Sequence, residues 1–363
     1  MSAGLKEMDF VTSENNPCLF IPKDRIRISW INDLVVVSRE GSKIDEMVLS
    51  LKALGYDLDK EEGSGLSAFL GIQINRTEGL IKLSQPGLID KAIRYTGMQD
   101  CNTGENTPAS VTPFRTDSGG EPWVGAKENR EYAAALGMLM YLVNHTCPDI
   151  AFAVNQCARF SFGPKLTHAK AIKRIVRYLQ ATRTRGMVFS PTGEIIVDTY
   201  ADADFAGLWA VEHEQDPVCS KSRYLLELAG CPISWTSKLQ TEIALPTMES
   251  EYIALSQAMR ELIPLRRVVA EIASALGIEA SSECRTHFKL FEDNNGALTM
   301  AQVPRITVRN RHFAVKYHFF RNHVSRGDIQ VLKIDTTKQK ADMLTKALVD
   351  ELFVRLRLII MGW

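Results

Sequence analysis

The sequence lacks long apolar runs and paired cysteines. No stretch of 18 uncharged apolar residues occurs in the 363 residues, so no membrane-spanning helix is predicted. The seven cysteines are scattered without a Cys-x-x-Cys pair, which argues against a zinc site and for reduced thiols. The first twenty residues include three acids and do not resemble a signal or transit peptide. We therefore expect an intracellular protein, in the cytoplasm or nucleus, that does not act on a membrane.

Net charge is also absent, but the positive charge is concentrated in two segments. Lysine plus arginine and aspartate plus glutamate number 43 each. Residues 150–193 hold eight lysines or arginines and no acid, and residues 294–327 hold six and no acid. Such segments are typical of surfaces that bind a phosphate backbone, and they also occur as solvated helix faces. Charge alone leaves both interpretations open.

One helix is predicted within the first basic segment. Over residues 167–180, apolar residues recur at helical spacing and predict a buried stripe. The cations fall largely off that stripe, on the face expected to meet solvent. The stripe is Ile172, Ile175, Val176 and Leu179, and the cations are Lys170, Lys173, Arg174 and Arg177.

The first third of the chain predicts short elements followed by a linker. Ile26–Ser38 is typical of two strands joined by a tight turn, with Asn32 and Asp33 at its tip. Ser42–Gly55 has helical spacing and a glycine stop. Cys101–Lys127 is rich in Gly, Pro, Ser and Thr, which predicts a linker.

After Gly186 the pattern changes to strands that alternate with helices, which predicts an α/β fold. A long helix is predicted from about Met248 to Leu276, and a last helix from about Lys340. The predicted strands are Ile195–Ala203, Arg223–Leu228, Pro232–Trp235, Thr286–Phe291 and Asp328–Asp335.

Four acids stand at comparable places among these elements. Asp202 closes the first strand, Glu251 lies one turn into the long helix, Asp293 follows the next strand, and Asp342 opens the last helix. Strand ends and helix starts can meet at one edge of an open sheet. Clustered carboxylates raise one another's pKa and need a counter-charge. Magnesium or manganese suits such oxygen ligands, and two such ions support phosphodiester hydrolysis. We predict that metal compensates these acids.

The long helix offers two glutamates, and helical geometry separates them. Glu249 and Glu251 point about 200° apart at about 100° per residue. Glu251 begins an apolar stripe that continues through Leu255 and Ala258, whereas Glu249 belongs to a mixed face. We therefore predict that Glu251 faces the sheet. Glu249 is predicted to meet the helix dipole behind a Thr247 N-cap.

Each acid also has a purely structural interpretation. Asp204 is either a solvated residue or an outer neighbour of a metal site. Asp293 followed by Asn294 is also typical of a helix cap, and Asp342 of a first-turn acid. The prediction of a metal site therefore depends on the whole set of four acids.

Several motifs occur in the order found in a known family. TYADADFAG, PISWTSKLQTEIALPTMESEYIAL, EDNNGA, RHFAVKYHFFRNHV and KADMLTKAL resemble the ribonuclease H segment of copia-type retrotransposon Pol polyproteins. Upstream, NPCLF, FLGIQINR, GLIKLSQ, ALGMLMYL, CPDIAFAVN and THAKAIKRIVRYLQAT resemble the end of the reverse transcriptase and its connection to that segment. The resemblance covers nearly the whole chain, which we expect to be a Pol fragment.

This resemblance implies an α/β chain with a definite domain order. An α+β remnant of the polymerase palm and thumb is expected over residues 1–100, followed by a linker over 101–130. A helical connection over 131–185 then precedes the ribonuclease H-like domain over 186–363. That last domain is expected to be a mixed sheet flanked by helices.

The resemblance also implies an activity, a metal and a partner. The expected reaction is hydrolysis of the RNA strand of RNA–DNA hybrids with two Mg²⁺ or Mn²⁺ ions, without a protein nucleophile. The family's catalytic, metal-binding acids correspond to Asp202, Glu251, Asp293 and Asp342. The residues expected to bind nucleic acid are Lys170, Lys173, Arg174, Arg177, Arg311, His312, Lys316 and Arg321.

The chain departs from the family pattern mainly in the polymerase part. Phe205, Pro246 and Ala314 replace a usual Trp, Ser and Asp but leave the four acids intact. In WIND, Asn32 replaces the first acid of the polymerase Tyr-x-Asp-Asp turn, and Asp33 is the second. A neutral amide is a weaker metal ligand than a carboxylate. We therefore expect that DNA synthesis has been lost from this degenerate polymerase site.

Three functional hypotheses follow from the sequence. The first is a hybrid-specific ribonuclease on a truncated Pol fragment. The second is a catalytically inactive relic that binds nucleic acid. The third is a working reverse transcriptase completed by another chain, which Asn32 disfavours. Assays of hybrid cleavage, hybrid binding and primer extension separate the three.

Overall fold

The computed structural model divides the chain into two compact units. The first unit is Met1–Phe69 with Arg260–Thr286, and the second is Leu70–Met259 with His287–Trp363. These boundaries differ from the domain boundaries that the resemblance implies, which stay predictions. The residues described are 10–21, 25–30, 33–38, 40–58, 66–101, 104–110, 121, 126–207, 218–275, 287–303, 317–344 and 347–363.

The first unit contains a small antiparallel sheet and a helix. Strands β1 to β4 are neighbours in chain order, as short connections between antiparallel strands favour. Helix α1, Gly41–Ala53, contributes Met47 and Leu51 to a small core with Phe10 and Phe20. The strands of this unit are β1 (Val11–Thr12), β2 (Leu19–Ile21), β3 (Arg25–Trp30), β4 (Asp33–Ser38) and β5 (Ala68–Phe69).

The hairpin predicted at Ile26–Ser38 is confirmed as β3 and β4. Trp30 pairs with Asp33 at the end of the ladder, which leaves a connection of two residues. Asn32, at the predicted tip, lies outside the described residues.

The second unit begins with antiparallel strands and a group of helices. The strands are β6 (Ile72–Thr77), β7 (Leu80–Ser84) and β8 (Met187–Phe189), with β7 paired to both neighbours. The helices are α2 (Pro86–Tyr95), α3 (Ala126–His145), α4 (Ala151–Ala158) and α5 (Leu166–Ala181).

Helix α5 is predicted by its apolar periodicity, whereas helix α4 is not. The apolar stripe predicted for α5 is confirmed, since Ile172, Ile175, Val176 and Leu179 are all buried. Helix α4 is not predicted from the sequence. Its residues are buried on several sides, so it lacks the one-sided stripe that marks an amphipathic helix.

A five-stranded mixed sheet forms the rest of this unit. Its order is β11-β10-β9-β12-β13. Strands β11, β10 and β9 are antiparallel neighbours, whereas β9, β12 and β13 are parallel neighbours. The strands are β9 (Ile196–Asp204), β10 (Lys221–Leu228), β11 (Cys231–Leu239), β12 (His287–Glu292) and β13 (Gln330–Lys333).

Helices accompany this sheet, which confirms the predicted α/β fold class with a mixed sheet flanked by helices. They are α6 (Thr247–Ala275), α7 (Asn295–Gln302), α8 (Arg321–Ser325) and α9 (Asp350–Met361). One sheet face contributes Tyr200, Leu225 and Trp235 to a large core shared with residues of α3, α4 and α5. None of the helices that the structure describes is both long and apolar enough to cross a membrane.

The prediction of the last helix needs correction. The predicted last helix from Lys340 is a short 3-10 turn, Lys340–Leu344, in which the backbone N–H of Asp342 donates to the carbonyl of Gln339 three residues earlier. The last α-helix begins only at Asp350. Within the predicted linker, which stays a prediction, Thr107 is buried and accepts a hydrogen bond from Arg174.

Candidate metal and active site

Three of the four predicted acids meet at one edge of the mixed sheet. Asp202 lies near the end of β9, Asp293 follows β12, and Glu251 lies in the first turns of α6. Each offers one carboxylate oxygen, and these oxygens all lie within 4.8 Å of one another. Because β9 and β12 are parallel neighbours, their carboxyl ends reach the same edge of the sheet.

Glu251 is the glutamate of α6 that faces the sheet. Its Oε2 accepts a hydrogen bond of 2.8 Å from the backbone N–H of Ala203 on β9. Glu249 instead accepts from the backbone N–H of Leu245, as a first-turn acid does. Since Thr247 is itself the first residue of the helix, it is not the N-cap that the sequence analysis predicts.

Arg223 is a functional neighbour that the sequence analysis misses. It lies directly opposite Asp202 in the β10–β9 ladder and is only 1% exposed. Its Nη1 donates to Asp202 Oδ2 at 2.7 Å, and its Nη2 lies 3.4 Å from Asp204 Oδ2. A guanidinium therefore supplies part of the counter-charge at Asp202, and the prediction that metal compensates the acids stays a prediction.

Negative charge nevertheless remains in excess at this edge. Burial raises the pKa of Asp202 to about 6, with Arg223 opposing the rise and Asp342 and Asp293 adding to it. Burial, followed by the charges of Glu292, Asp202 and Asp293, raises the pKa of Glu251 to about 10. A divalent ion relieves such repulsion, and carboxylate oxygens this close together are its preferred donors. The acids therefore fit a magnesium or manganese ion.

Glu292 is a second neighbour that the sequence analysis does not single out. It is fully buried, and its Oε1 accepts a 3.0 Å hydrogen bond from the backbone N–H of Asn294. Its Oε2 has no hydrogen-bond partner among the described residues. Burial raises its pKa well above the ordinary value, with the charges of Asp293 and Asp202 adding to the rise. The only sequence signal is an acid directly before Asp293.

Asp342 lies near the three acids without being one of the close group. It belongs to the 3-10 turn Lys340–Leu344, and its charge raises the pKa of Asp202. Asp293 is held in place by Thr336, whose hydroxyl donates to Asp293 Oδ2 at 2.9 Å. The structure therefore groups Asp202, Glu251 and Asp293, with Asp342 as a nearby charge.

Comparison with known proteins places this arrangement in a family. The chain is 30% identical over 353 residues to the Retrovirus-related Pol polyprotein from transposon TNT 1-94 of Nicotiana tabacum, covering 94% of this chain and 25% of that protein. It is 29% identical over 348 residues to that from transposon RE1 of Arabidopsis thaliana, covering 95% and 22%. Over 94% of its length the chain is a homologue of the Pol polyproteins of copia-type retrotransposons.

Other comparisons with this Pol chain are shorter or weaker. It is 43% identical over 136 residues to Secreted RxLR effector protein 161 of Plasmopara viticola, covering 38% of this chain and 92% of that protein. A solved structure of a foamy viral protease-reverse transcriptase in complex with dsDNA matches 85% of this chain and 54% of its own, at 13% identity and a TM-score of 0.45. No protein-family model matches. The chain spans about a quarter of the length of its Pol relatives.

The basic residues predicted to bind nucleic acid differ in their surroundings in this Pol chain. Lys170 and Lys173 are exposed on α5. Arg174 and Arg177 form ion pairs with Glu105 at 3.2 and 2.9 Å. Arg321 is buried, with hydrogen bonds to Met300 O at 2.9 Å and Tyr252 Oη at 3.2 Å, and so holds the fold together. The remaining predicted contacts, Arg311, His312 and Lys316, lie outside the described residues.

The turn predicted to be a degenerate polymerase site is described only in part. Asp33 begins strand β4, and Asn32 lies outside the described residues. The predicted loss of DNA synthesis stays a prediction.

Proposed function

We propose that this Pol segment is a ribonuclease H, which hydrolyses the RNA strand of RNA–DNA hybrids with Mg²⁺ or Mn²⁺. The observation that carries the proposal is the approach of Asp202, Glu251 and Asp293 oxygens to within 4.8 Å of one another. The RNA–DNA hybrid is proposed as substrate because the motifs around these acids resemble the ribonuclease H segment of the family.

The protein's part in this reaction is to hold and orient charge. Asp202, Glu251 and Asp293 would bind the metal, and Asp342 is near enough to add its charge. When bound, two divalent ions stabilise the attacking and leaving oxygens of a phosphodiester. The hydrogen bonds from Ala203 to Glu251 and from Thr336 to Asp293 fix the carboxylates before substrate arrives. Such preorganisation is what electrostatic catalysis requires.

A cationic cavity on the same sheet offers a place for the nucleic-acid backbone. It has a volume of about 370 Å³, and its lining includes Arg159, Lys221 and Lys238. Lys221 is the cross-strand partner of Asp204, so the cavity begins two residues along the strand from Asp202. Cations two residues along the strand from Asp202 suit a phosphate that neighbours the cleaved one.

Cleavage of a labelled hybrid tests the proposal directly. The chain would be incubated with RNA–DNA hybrid, single-stranded RNA and duplex DNA, each with Mg²⁺ or EDTA. We expect the RNA strand to be cut only in the hybrid and only with metal. The Asp293→Asn variant should lose at least about 100-fold in rate, because the substitution removes one metal-binding charge.

Asp335→Asn is a matched control for that variant. Asp335 is an exposed acid that caps the 3-10 turn at Thr336–Lys338 through the N–H of Thr337, and an asparagine oxygen can still accept that bond. Its rate should stay within about twofold of the wild-type rate. Cleavage that persists in EDTA, or in Asp293→Asn, would contradict the proposal.

A second candidate is nucleic-acid binding without turnover, and the buried Arg223–Asp202 ion pair favours it. A permanent cation at Asp202 opposes the binding of metal there. Hybrid binding without cutting, at Mn²⁺ concentrations that saturate the site, would support this candidate. Primer extension by the same preparation is expected to be negative because Asn32 stands where the polymerase needs an acid.

A further inference from the structure

Arg223 places a fixed positive charge inside the carboxylate group. Its side chain is 1% exposed, and its guanidinium contacts both Asp202 at 2.7 Å and Asp204 at 3.4 Å. A guanidinium does not lose its proton in proteins. The positive charge beside Asp202 is therefore permanent, unlike that of a histidine, which is lost when the imidazole releases its proton.

We propose that Arg223 competes with the divalent metal at Asp202, so that the protein without nucleic acid binds one ion tightly rather than two. This inference rests on the proposed function, since it concerns the same site. Arg223 already occupies Oδ2 of Asp202. An ion at Asp202 must either share that carboxylate with a nearby cation or displace the guanidinium from a buried position.

The remaining acids explain why one ion still binds. Among the residues that the structure describes, Glu251 and Asp293 accept hydrogen bonds from the Ala203 N–H and the Thr336 hydroxyl, and from no arginine or lysine. Glu292 adds a further buried carboxyl group beside them. Like charges at this spacing attract a cation strongly in a partly desolvated site. The tight ion is therefore expected on the Glu251–Asp293 side of the group.

Counting bound Mn²⁺ in the absence of nucleic acid tests the inference. Free Mn²⁺ would be measured by electron paramagnetic resonance during titration of the whole chain. The wild type is expected to bind one tight ion. Arg223→Gln keeps a hydrogen-bond donor but removes the charge, and it should bind a second ion or bind Mn²⁺ at least tenfold more tightly. Arg223→Lys keeps the charge and should resemble the wild type.

Lys289→Gln is the control for a general change of charge. Lys289 lies on β12, four residues before Asp293, and it is not among the acids' ion-pair partners described above. Its Mn²⁺ affinity should stay within twofold of the wild-type value. If Lys289→Gln and Arg223→Gln raise the Mn²⁺ affinity equally, the effect comes from the overall charge of the protein. That result would overturn the proposed competition between Arg223 and metal at Asp202.

The outcomes separate this inference from the proposed function. Two equally tight ions in the wild type overturn the inference whatever the variants do, so the test does not depend on Arg223→Gln folding. Unchanged Mn²⁺ binding in a folded Arg223→Gln variant also overturns it, even if the wild type cuts hybrid. Tighter binding in Arg223→Gln supports it, even if no preparation cuts hybrid and the proposed function fails.

Discussion

The side-chain amide of Gln339 donates a 2.8 Å hydrogen bond to the carbonyl oxygen of Ala201, 138 residues earlier in the chain. Gln339 is 1% exposed, and Ala201 directly precedes Asp202. The bond therefore fixes the 3-10 turn that carries Asp342 against the strand that carries Asp202. The charge of Asp342 is one of those that raise the pKa of Asp202, after burial.

Gln339→Ala should weaken both the fold and the site. The substitution leaves the buried carbonyl of Ala201 unpaired, which is expected to cost about 1–3 kcal/mol in the free energy of unfolding. Urea denaturation measures this loss, and hybrid cleavage should fall because Asp342 is no longer held. Gln330→Ala, at an exposed position on β13, should change stability by less than about 0.5 kcal/mol. Equal losses in both variants would rule out a specific role for the Gln339 bond.

Glu251 gives the metal-free protein an unusual dependence on pH. Burial, with the neighbouring acids, raises its pKa to about 10, compared with about 4.3 in an unfolded chain. The folded state therefore holds the proton more tightly than the unfolded state does. The resulting stabilisation is complete below about pH 4 and is lost as the pH rises towards the folded pKa.

Glu251→Gln should remove the loss of stability that the metal-free protein shows as the pH rises. In EDTA at pH 8 the variant is expected to be more stable than the wild type by about 1–3 kcal/mol, and the difference should shrink towards pH 5. Urea denaturation across this pH range measures it. Glu249→Gln, at a half-buried position in the first turn of the same helix, is the control. A wild type that is as stable at pH 8 as at pH 5 without metal would contradict the prediction.

Glu105 is predicted to restrain two of the basic residues expected to bind nucleic acid. It pairs with Arg174 and Arg177 on α5. If these arginines contact the hybrid, Glu105→Gln should tighten hybrid binding by about threefold, which is the scale of a partly exposed ion pair. Fluorescence anisotropy with labelled hybrid measures the change. Glu78→Gln, at an exposed position, is the control. If Glu105→Gln leaves the affinity for hybrid unchanged, Arg174 and Arg177 stabilise the fold and do not contact the hybrid.

The cationic cavity predicts a change in the salt dependence of binding. Lys238→Gln removes one of its cations and should reduce the slope of log affinity against log salt by about one unit, because one phosphate contact is lost. Lys52→Gln, exposed on α1 in the first unit, should leave the slope unchanged. If Lys238→Gln and the wild type have the same salt dependence, the nucleic-acid backbone does not bind in the cationic cavity.

Local patterns predict the elements and which acids to examine, but not the contacts across strands. The α5 stripe and the choice of Glu251 over Glu249 follow from helical periodicity, and both are confirmed. Arg223 becomes a neighbour of Asp202 only through the register of β10 against β9, which no single strand encodes. The turn at Asp342 depends on a buried bond to a distant strand, so helical preference alone misplaces it.

The parallel pairing of β9 with β12 has a consequence for the lifetime of the molecule. The carboxylates of the candidate metal site belong to Asp202, Glu251 and Asp293. They are therefore far apart in the unfolded chain and meet only when the domain has folded completely. An ion that binds only the complete domain stabilises it by mass action, by about 2.7 kcal/mol at a concentration 100 times its dissociation constant. Magnesium supply should therefore set how well the chain resists proteases, independently of any reaction it catalyses.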